Sequence, residues 1–117
     1  MQFKKLKHMV ITAIEDLKGE KIIELDVKGK TSFTDLMIIV SGTSSRHVKS
    51  IAQNVADTVR QAGVMPLGME GEEQSEWVLV DLGDIVVHVM QPQVREFYSL
   101  EKLWAMDEVV GQRVANQ

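Results

Sequence analysis

Hydrophobic residues recur at three- and four-residue intervals in two stretches of the chain, and this spacing predicts two amphipathic helices. The first helix covers residues 2–18 and stops before Gly19, and its apolar stripe consists of Leu6, Met9, Val10, Ala13, Ile14 and Leu17. The second helix begins after Ser44 or Ser45, whose hydroxyls are suited to capping, and ends at Gly63. Its apolar stripe consists of Val48, Ile51, Ala52, Val55 and Val59.

Two further patterns predict β-strands. Residues 21–29 alternate between polar and apolar side chains, which is typical of a half-buried strand. Residues 35–42 form a continuous apolar run of strand length, which predicts a central strand covered on both faces. The order strand, helix, strand from residue 35 to residue 69 indicates a right-handed βαβ crossover. The polar, acidic segment 68–76 then predicts a loop.

The stretch "WVLVDLGDIVVHVM", residues 77–90, predicts a β-hairpin. A two-residue turn at Leu82-Gly83 would pair Asp81 with Asp84 and Trp77 with His88, and would put the carboxylates and the imidazole on one face. Such a set could bind a metal or transfer protons. Turn-flanking aspartates also commonly accept hydrogen bonds from turn amides. We favour this second role and assign no metal, because no second group of ligands is visible in the sequence.

The segment "SGTSSRHVKS", residues 41–50, joins a strand to a helix that starts with basic side chains. Helix N-termini attract phosphates, but this segment lacks the second glycine followed by Lys-Ser/Thr of a phosphate-binding loop and the glycine trio of a dinucleotide site. We therefore favour a helix cap at Ser44 or Ser45. A serine nucleophile would need an oriented base. His47 is near, but no nucleophile-elbow pattern surrounds the serines, so we assign no catalytic residue and no cofactor.

Composition narrows the functional classes. The 117 residues suit one domain, their net charge is −4, and no apolar run is long enough to span a bilayer. The chain has no cysteine and no signal-peptide pattern, which fits a cytoplasmic location. A mildly acidic chain is a poor match for a protein that binds nucleic acid through its phosphates. It is better suited to a basic protein partner, and we expect no direct sequence-specific binding to nucleic acid.

Three features together predict an interaction surface. Trp77 follows the acidic loop at the start of a strand, where we expect it to be exposed, and Leu82 lies at the predicted turn tip. Residues 94–104 predict a last helix on which Tyr98 falls outside the apolar face. An apolar patch with an acidic rim is typical of a protein interface. A half-buried tyrosine with its hydroxyl in water explains Tyr98 equally well, and both interpretations stay open on spacing alone.

The stretches "TSFTDLMIIVSGTSSRHVKSIAQNV", "PLGMEGEEQSEWVLVDLGDIVVHVM" and "REFYSLEKLW" resemble the bacterial ribosomal silencing factor family, also called Iojap-like. The resemblance runs over residues 2–104 and implies a domain at 1–104. Residues 105–117 lie outside it, and their weak periodicity predicts a partly flexible C-terminal tail. The resemblance implies a single α/β domain with a mixed sheet flanked by helices. The family's shape is related to nucleotidyltransferases but lacks their catalytic residues. Here Gly42-Thr43 replaces the expected Gly-Ser turn, in agreement with that loss.

The resemblance also implies a function that is not enzymatic. Family members bind the large ribosomal subunit through its protein fourteen, block joining of the small subunit, repress translation when nutrients are short, and tend to form homodimers. The contact residues that the family's motifs imply for this chain are Trp77, Leu82, Gly83, Asp84, Tyr98, Leu100 and Glu101. Helical spacing places Leu100 on the core-facing stripe.

Two alternatives belong to other classes. One is a degenerate nucleotidyl- or phosphoryl-transferring enzyme, or a nucleotide-binding protein, with residues 41–50 at the phosphate and Asp81 and Asp84 at a metal. The other is an RNA-binding module whose basic residues converge on one face: Lys4, Lys5, Lys7, Arg46 and Lys49.

Overall fold

The computed structural model describes residues 2–32 and 34–98, and side-chain surroundings are described as far as residue 96. The elements are α1 (Phe3–Asp16), β1 (Glu20–Asp26), β2 (Leu36–Ser41), α2 (Ser45–Gln61), β3 (Gly68–Glu70), β4 (Trp77–Asp81), β5 (Ile85–Met90) and α3 (Pro92–Tyr98). The α/β class and one compact domain are confirmed. No helix within the described residues has the length and apolarity that crossing a membrane requires.

The described strands form one mixed five-stranded sheet in the order β1-β2-β5-β4-β3. β2 and β5 are parallel, whereas the other three neighbouring pairs are antiparallel. These pairings make β3 parallel to β2, so the predicted strand–helix–strand unit is present with β5 and β4 between its two strands. The segment predicted as a loop from residue 68 begins with β3, and its turn starts only at Gly71.

α1 and α2 pack together on one face of the sheet, which we call the helix face. Both predicted stripes supply buried residues, and every apolar residue predicted for the α2 stripe is buried. Alternate strand residues complete this core, among them Ile38, Val40, Val78, Val80 and Val87. Full burial of each such side chain contributes roughly 1.5–3 kcal/mol, so the helix face holds most of the stabilising apolar contact.

The opposite face of the sheet, which we call the second face, carries a smaller apolar cluster of Val27, Met37, Ile39 and Met90. Leu25 and Trp77 pack against its edges, and Val94 reaches it from α3. Every residue of β2 and of β5 is buried, as the continuous apolar run of β2 predicted for a central strand. α3 is held here by Arg95, whose buried guanidinium donates to the hydroxyl of Ser41 at 2.9 Å.

Candidate docking surface around Trp77

The predicted register of the β4–β5 hairpin is wrong by two residues. Asp81 pairs with Val86, Leu79 pairs with His88, and Trp77 pairs with Met90. The turn is centred on Gly83-Asp84 and is closed by the amide of Leu82, which donates to the carbonyl of Ile85 at 2.9 Å. Gly83 has φ +90°, a value that hairpin turns need and that glycine adopts without strain, so the turn centres one residue later than predicted.

A shift of two residues preserves the alternation of faces. The second face therefore carries Trp77, Asp81 and His88, as predicted. Asp84 was predicted on the same face but lies in the turn. The Asp81 carboxylate accepts the Gly83 amide at 2.9 Å, which confirms that this aspartate serves the turn. Within the described part of the chain, no group of three or more His, Cys, Asp or Glu side chains is placed to hold a metal ion.

The predicted cap at the start of α2 is confirmed at Ser44, whose hydroxyl accepts the amide of His47 at 3.1 Å. The imidazole of His47 is not hydrogen-bonded to the hydroxyl of any serine that the structure describes, as a base that activates a serine nucleophile would be. Its Nε2 lies 2.6 Å from the carbonyl oxygen of Leu17, and its Nδ1 accepts the amide of Thr43 at 2.8 Å. This histidine therefore ties the end of α1 to the start of α2.

The groups that the enzyme alternative needs lie at opposite ends of the sheet. Segment 41–50 begins where Ser41 meets Met90, at the end of β5. Asp81 lies beside Val86, four residues earlier on the same strand, which is about 13 Å at 3.3 Å per residue. The arrangement therefore does not join a phosphate site to the two aspartates.

Trp77 is half-buried, which differs from the exposed position that the sequence predicted. Its indole Nε1–H donates to Nδ1 of His88 at 2.9 Å, and the two ring centroids are 5.8 Å apart with the planes tilted by 51°. His88 is 7% exposed, and burial lowers its pKa to about 4. The imidazole is therefore neutral at physiological pH. Its proton is on Nε2, and the lone pair of Nδ1 accepts the indole N–H.

Trp77 lines an open groove of about 580 Å³, which we call the acidic groove. Glutamates supply most of its charged wall, and the residues that line it are Met69, Glu70, Gly71, Glu72, Glu73, Gln74, Glu76, Trp77 and Val94. The sequence predicted an acidic rim near Trp77. That the loop folds back to make a groove follows from tertiary contacts.

Gly71 and Ser75 shape the loop of the acidic groove. Ser75 is buried, its amide donates to the Gly71 carbonyl at 2.9 Å, and its hydroxyl donates to the Glu72 carbonyl at 2.6 Å. A Cβ on Gly71 would lie only 2.1 Å from the carbonyl oxygen of Trp77. Gly71 also has a φ of +91°. Glycine at this position therefore allows the loop to lie directly against the first residue of β4.

The structure separates the implied contact residues into two groups. The Gly83-Asp84 turn lies at the far end of β4 from Trp77, about 16 Å away for five strand residues. Asp84 is exposed, but Leu82 is 7% exposed and packs into the helix-face core, so its predicted place at an exposed tip is wrong. The Tyr98 side chain, together with Leu100 and Glu101, lies outside what the structure describes.

Sequence reasoning missed the exposed apolar side chains beside the turn. Met65 is 72% exposed and Leu67 is 73% exposed. Leu67 Cδ1 lies 3.7 Å from where a Cβ on Gly83 would be, so this leucine covers the turn. The signal was the short apolar run "VMPL", residues 64–67, which follows neither a helical nor a strand period.

Comparisons with known proteins find similarity over most of the chain or all of it. A family model described as "Ribosomal silencing factor during starvation" matches residues 1–117. The ribosomal silencing factor of Chromobacterium violaceum is 48% identical over 104 residues, which are 89% of this chain and 85% of that protein. The ribosomal silencing factor of Haemophilus influenzae is 46% identical over 100 residues, which are 86% of this chain and 98% of that protein.

A solved structure agrees with the fold. The crystal structure of protein CV0518 from Chromobacterium violaceum superposes with a TM-score of 0.86 at 48% identity, covering 89% of this chain and 87% of that one. The sequence similarity and the shared architecture lead to one conclusion: the chain belongs to the ribosomal silencing factor family.

Proposed function

We propose that this protein represses translation by occupying the large ribosomal subunit, through its protein fourteen, so that the small subunit cannot join. The family description, which names silencing during starvation, supports this role and its link to nutrient shortage. The observation that carries the proposal is the acidic groove beside Trp77, because its chemistry fits a basic protein surface. The act is steric, so it needs neither a cofactor nor a catalytic residue.

The acidic groove combines the two properties that bind lysine or arginine. Trp77 and Val94 supply an apolar wall for the aliphatic stem, and the glutamates lie around it for the charged head. A cation near an indole face gains about 0.5–1 kcal/mol at an exposed site and more where water is excluded. The net charge of −4 adds long-range attraction toward a basic partner.

The turn region supplies the second part of the proposed surface. Asp84 is exposed there, and Leu67 presents an apolar side chain over Gly83. An interface of ordinary size, about 800 Å² on each partner, is wide enough to include both the turn and the groove. Leu82 does not contact the partner in this proposal. It packs into the helix-face core and so holds the turn in place.

The remaining implied contacts begin at Tyr98, which belongs to α3. This helix starts beside the groove, which Val94 lines, and Tyr98 is the last of its residues that the structure describes. We propose that Tyr98, Leu100 and Glu101 extend the surface from the groove side. A cytoplasmic location, a homodimer in the free state and a nucleotidyltransferase-like shape complete the proposal, and they rest on the family resemblance.

Co-sedimentation with separated ribosomal subunits tests the proposal. We expect the purified protein to migrate with the large subunit and to reduce joined ribosomes when the small subunit is added. Trp77→Ala should weaken binding by about thirtyfold, the effect of losing a ~2 kcal/mol hot spot. Glu72→Gln with Glu76→Gln should weaken binding and reduce its salt dependence.

The matched control changes charge elsewhere. Glu15→Gln with Asp16→Asn removes the same two charges from the exposed end of α1 and should leave binding unchanged. Migration of the wild-type protein with neither subunit would refute the proposed function. Equal losses in the groove variant and the α1 control would refute the groove as the docking site.

Thermal unfolding with Mg²⁺ and a nucleotide addresses the enzyme alternative. A ligand that binds the folded state raises the melting temperature by mass action. We expect no rise, because the segment 41–50 and Asp81 are far apart. A rise that depends on ligand concentration would favour a nucleotide-binding role.

A further inference from the structure

His88 is a polar residue in a strand whose other residues are apolar. It lies between Val87 and Val89 on β5, faces Leu79 across the β4 pairing, and faces Ile39 across the β2 pairing. A buried imidazole is costly unless it is hydrogen-bonded, and an aliphatic residue would occupy this position without that cost. The fold of the sheet alone therefore does not account for histidine here.

The hydrogen bond to Trp77 accounts for it. Among the side chains that the structure describes, as far as residue 96, the indole is the one hydrogen-bond partner of the His88 ring, at 2.9 Å. Trp77 and His88 are diagonal neighbours on the second face, because Trp77 pairs with Met90 and His88 pairs with Leu79. An indole has one N–H, so a fixed acceptor for that N–H selects one orientation of the ring.

We propose that His88 is a positioning residue, which holds the indole of Trp77 in the orientation that docks the basic partner. The inference rests on the proposed function, since Trp77 lines the groove that receives the partner. Holding the ring before binding removes the entropic cost of ordering it during binding. His88 is 7% exposed and accepts the indole N–H, so it acts through Trp77 rather than by touching the partner.

Two substitutions separate positioning from a structural role. His88→Leu places an apolar side chain of similar bulk in an apolar environment and removes the acceptor. His88→Asn places an amide oxygen near the position of Nδ1 and restores an acceptor. Thermal unfolding at neutral pH checks that both variants fold before any binding is measured.

The free protein gives the first result. The indole N–H resonance of Trp77, identified by its disappearance in Trp77→Phe, should be slow to exchange with solvent in the wild type. It should shift and exchange faster in His88→Leu and recover in His88→Asn. An indole N–H with the same shift and exchange rate in the wild type and in His88→Leu would overturn the proposal.

Binding to the isolated large subunit gives the second result. We expect His88→Leu to weaken binding by about three- to tenfold, the cost of ordering one large side chain, and His88→Asn to recover most of it. In a Trp77→Phe background, which lacks the indole donor, His88→Leu should cause no further loss. Equal weakening by Leu and Asn, or loss that persists in that background, would assign His88 a structural role instead.

The two hypotheses fail differently. Wild-type protein that does not bind the large subunit refutes the proposed function, and the positioning role with it. Wild-type protein that binds, with His88→Leu binding equally well, refutes the positioning role alone.

Discussion

Burial of His88 makes the stability of the fold depend on pH. Desolvation lowers the pKa of His88 from its ordinary value of 6.5 to about 4 in the folded chain. In the unfolded chain the imidazole is in water and takes up a proton near its ordinary pKa. Below that pKa the unfolded state therefore binds more protons than the folded state, and acidification favours unfolding.

The size of the effect follows from the two pKa values. Stability from this group is complete above pH 6.5 and is lost as the pH falls toward about 4. At 1.36 kcal/mol per pH unit, the full difference is about 3 kcal/mol, and about 2 kcal/mol of it is lost between neutral pH and about pH 5. A loss of this size is a large fraction of the stability of a small domain.

Chemical denaturation at neutral pH and at about pH 5 measures this contribution. The free energy of unfolding of the wild type should fall by about 2 kcal/mol more than that of His88→Leu, which has no imidazole to titrate here. Subtraction cancels the contributions that the two proteins share. His8→Gln is the matched control for replacing a histidine, because His8 is exposed.

Equal pH dependence of the wild type and His88→Leu would refute this reasoning. It would mean that His88 takes up its proton equally easily in the folded and unfolded states, and that burial does not exclude water from the ring.

Substitutions at three further positions have expected outcomes in the free energy of unfolding, measured by denaturation. Ser44→Ala removes the acceptor for a helix amide and should lower the free energy of unfolding by about 1 kcal/mol. Ser44→Asp supplies another acceptor and should retain most of that free energy. Gly71→Ala should cost about 3 kcal/mol or more, because a Cβ meets the Trp77 carbonyl and φ is positive; a smaller cost would mean that the loop does not pack against β4 as described. Lys7→Ala removes one exposed ion pair and should change stability by less than about 0.5 kcal/mol.

The elements with a clear period were predictable because their signal is local. The α2 stripe repeats every three to four residues, and one continuous helix face buries all of it. The apolar run of β2 likewise predicted a strand covered on both sides, as the structure shows. The cap at Ser44 was predictable for the same reason, since its partner is three residues away.

The hairpin shows where local signals end. A turn at either Leu82-Gly83 or Gly83-Asp84 is compatible with the pattern of residues 77–90, because both keep the residues of β4 and β5 on the same faces of the sheet. The choice depends on backbone geometry at Gly83 and on packing of Leu82 into the helix-face core. An apolar residue at a turn was predicted to be exposed, but the neighbouring helices bury it.

The sequence by itself determined the α/β class, the order of most elements, the acidic loop before Trp77 and the resemblance to the silencing factor family. These depend on periodicity and on motifs, which are properties of neighbouring residues. Only the tertiary structure decided that His88 receives the indole of Trp77, that the loop folds into a groove, and that Leu67 rather than Leu82 faces solvent at the turn. Each of these is a contact across strands or loops, where close packing and hydrogen bonding between distant residues select one arrangement among several that the pattern allows.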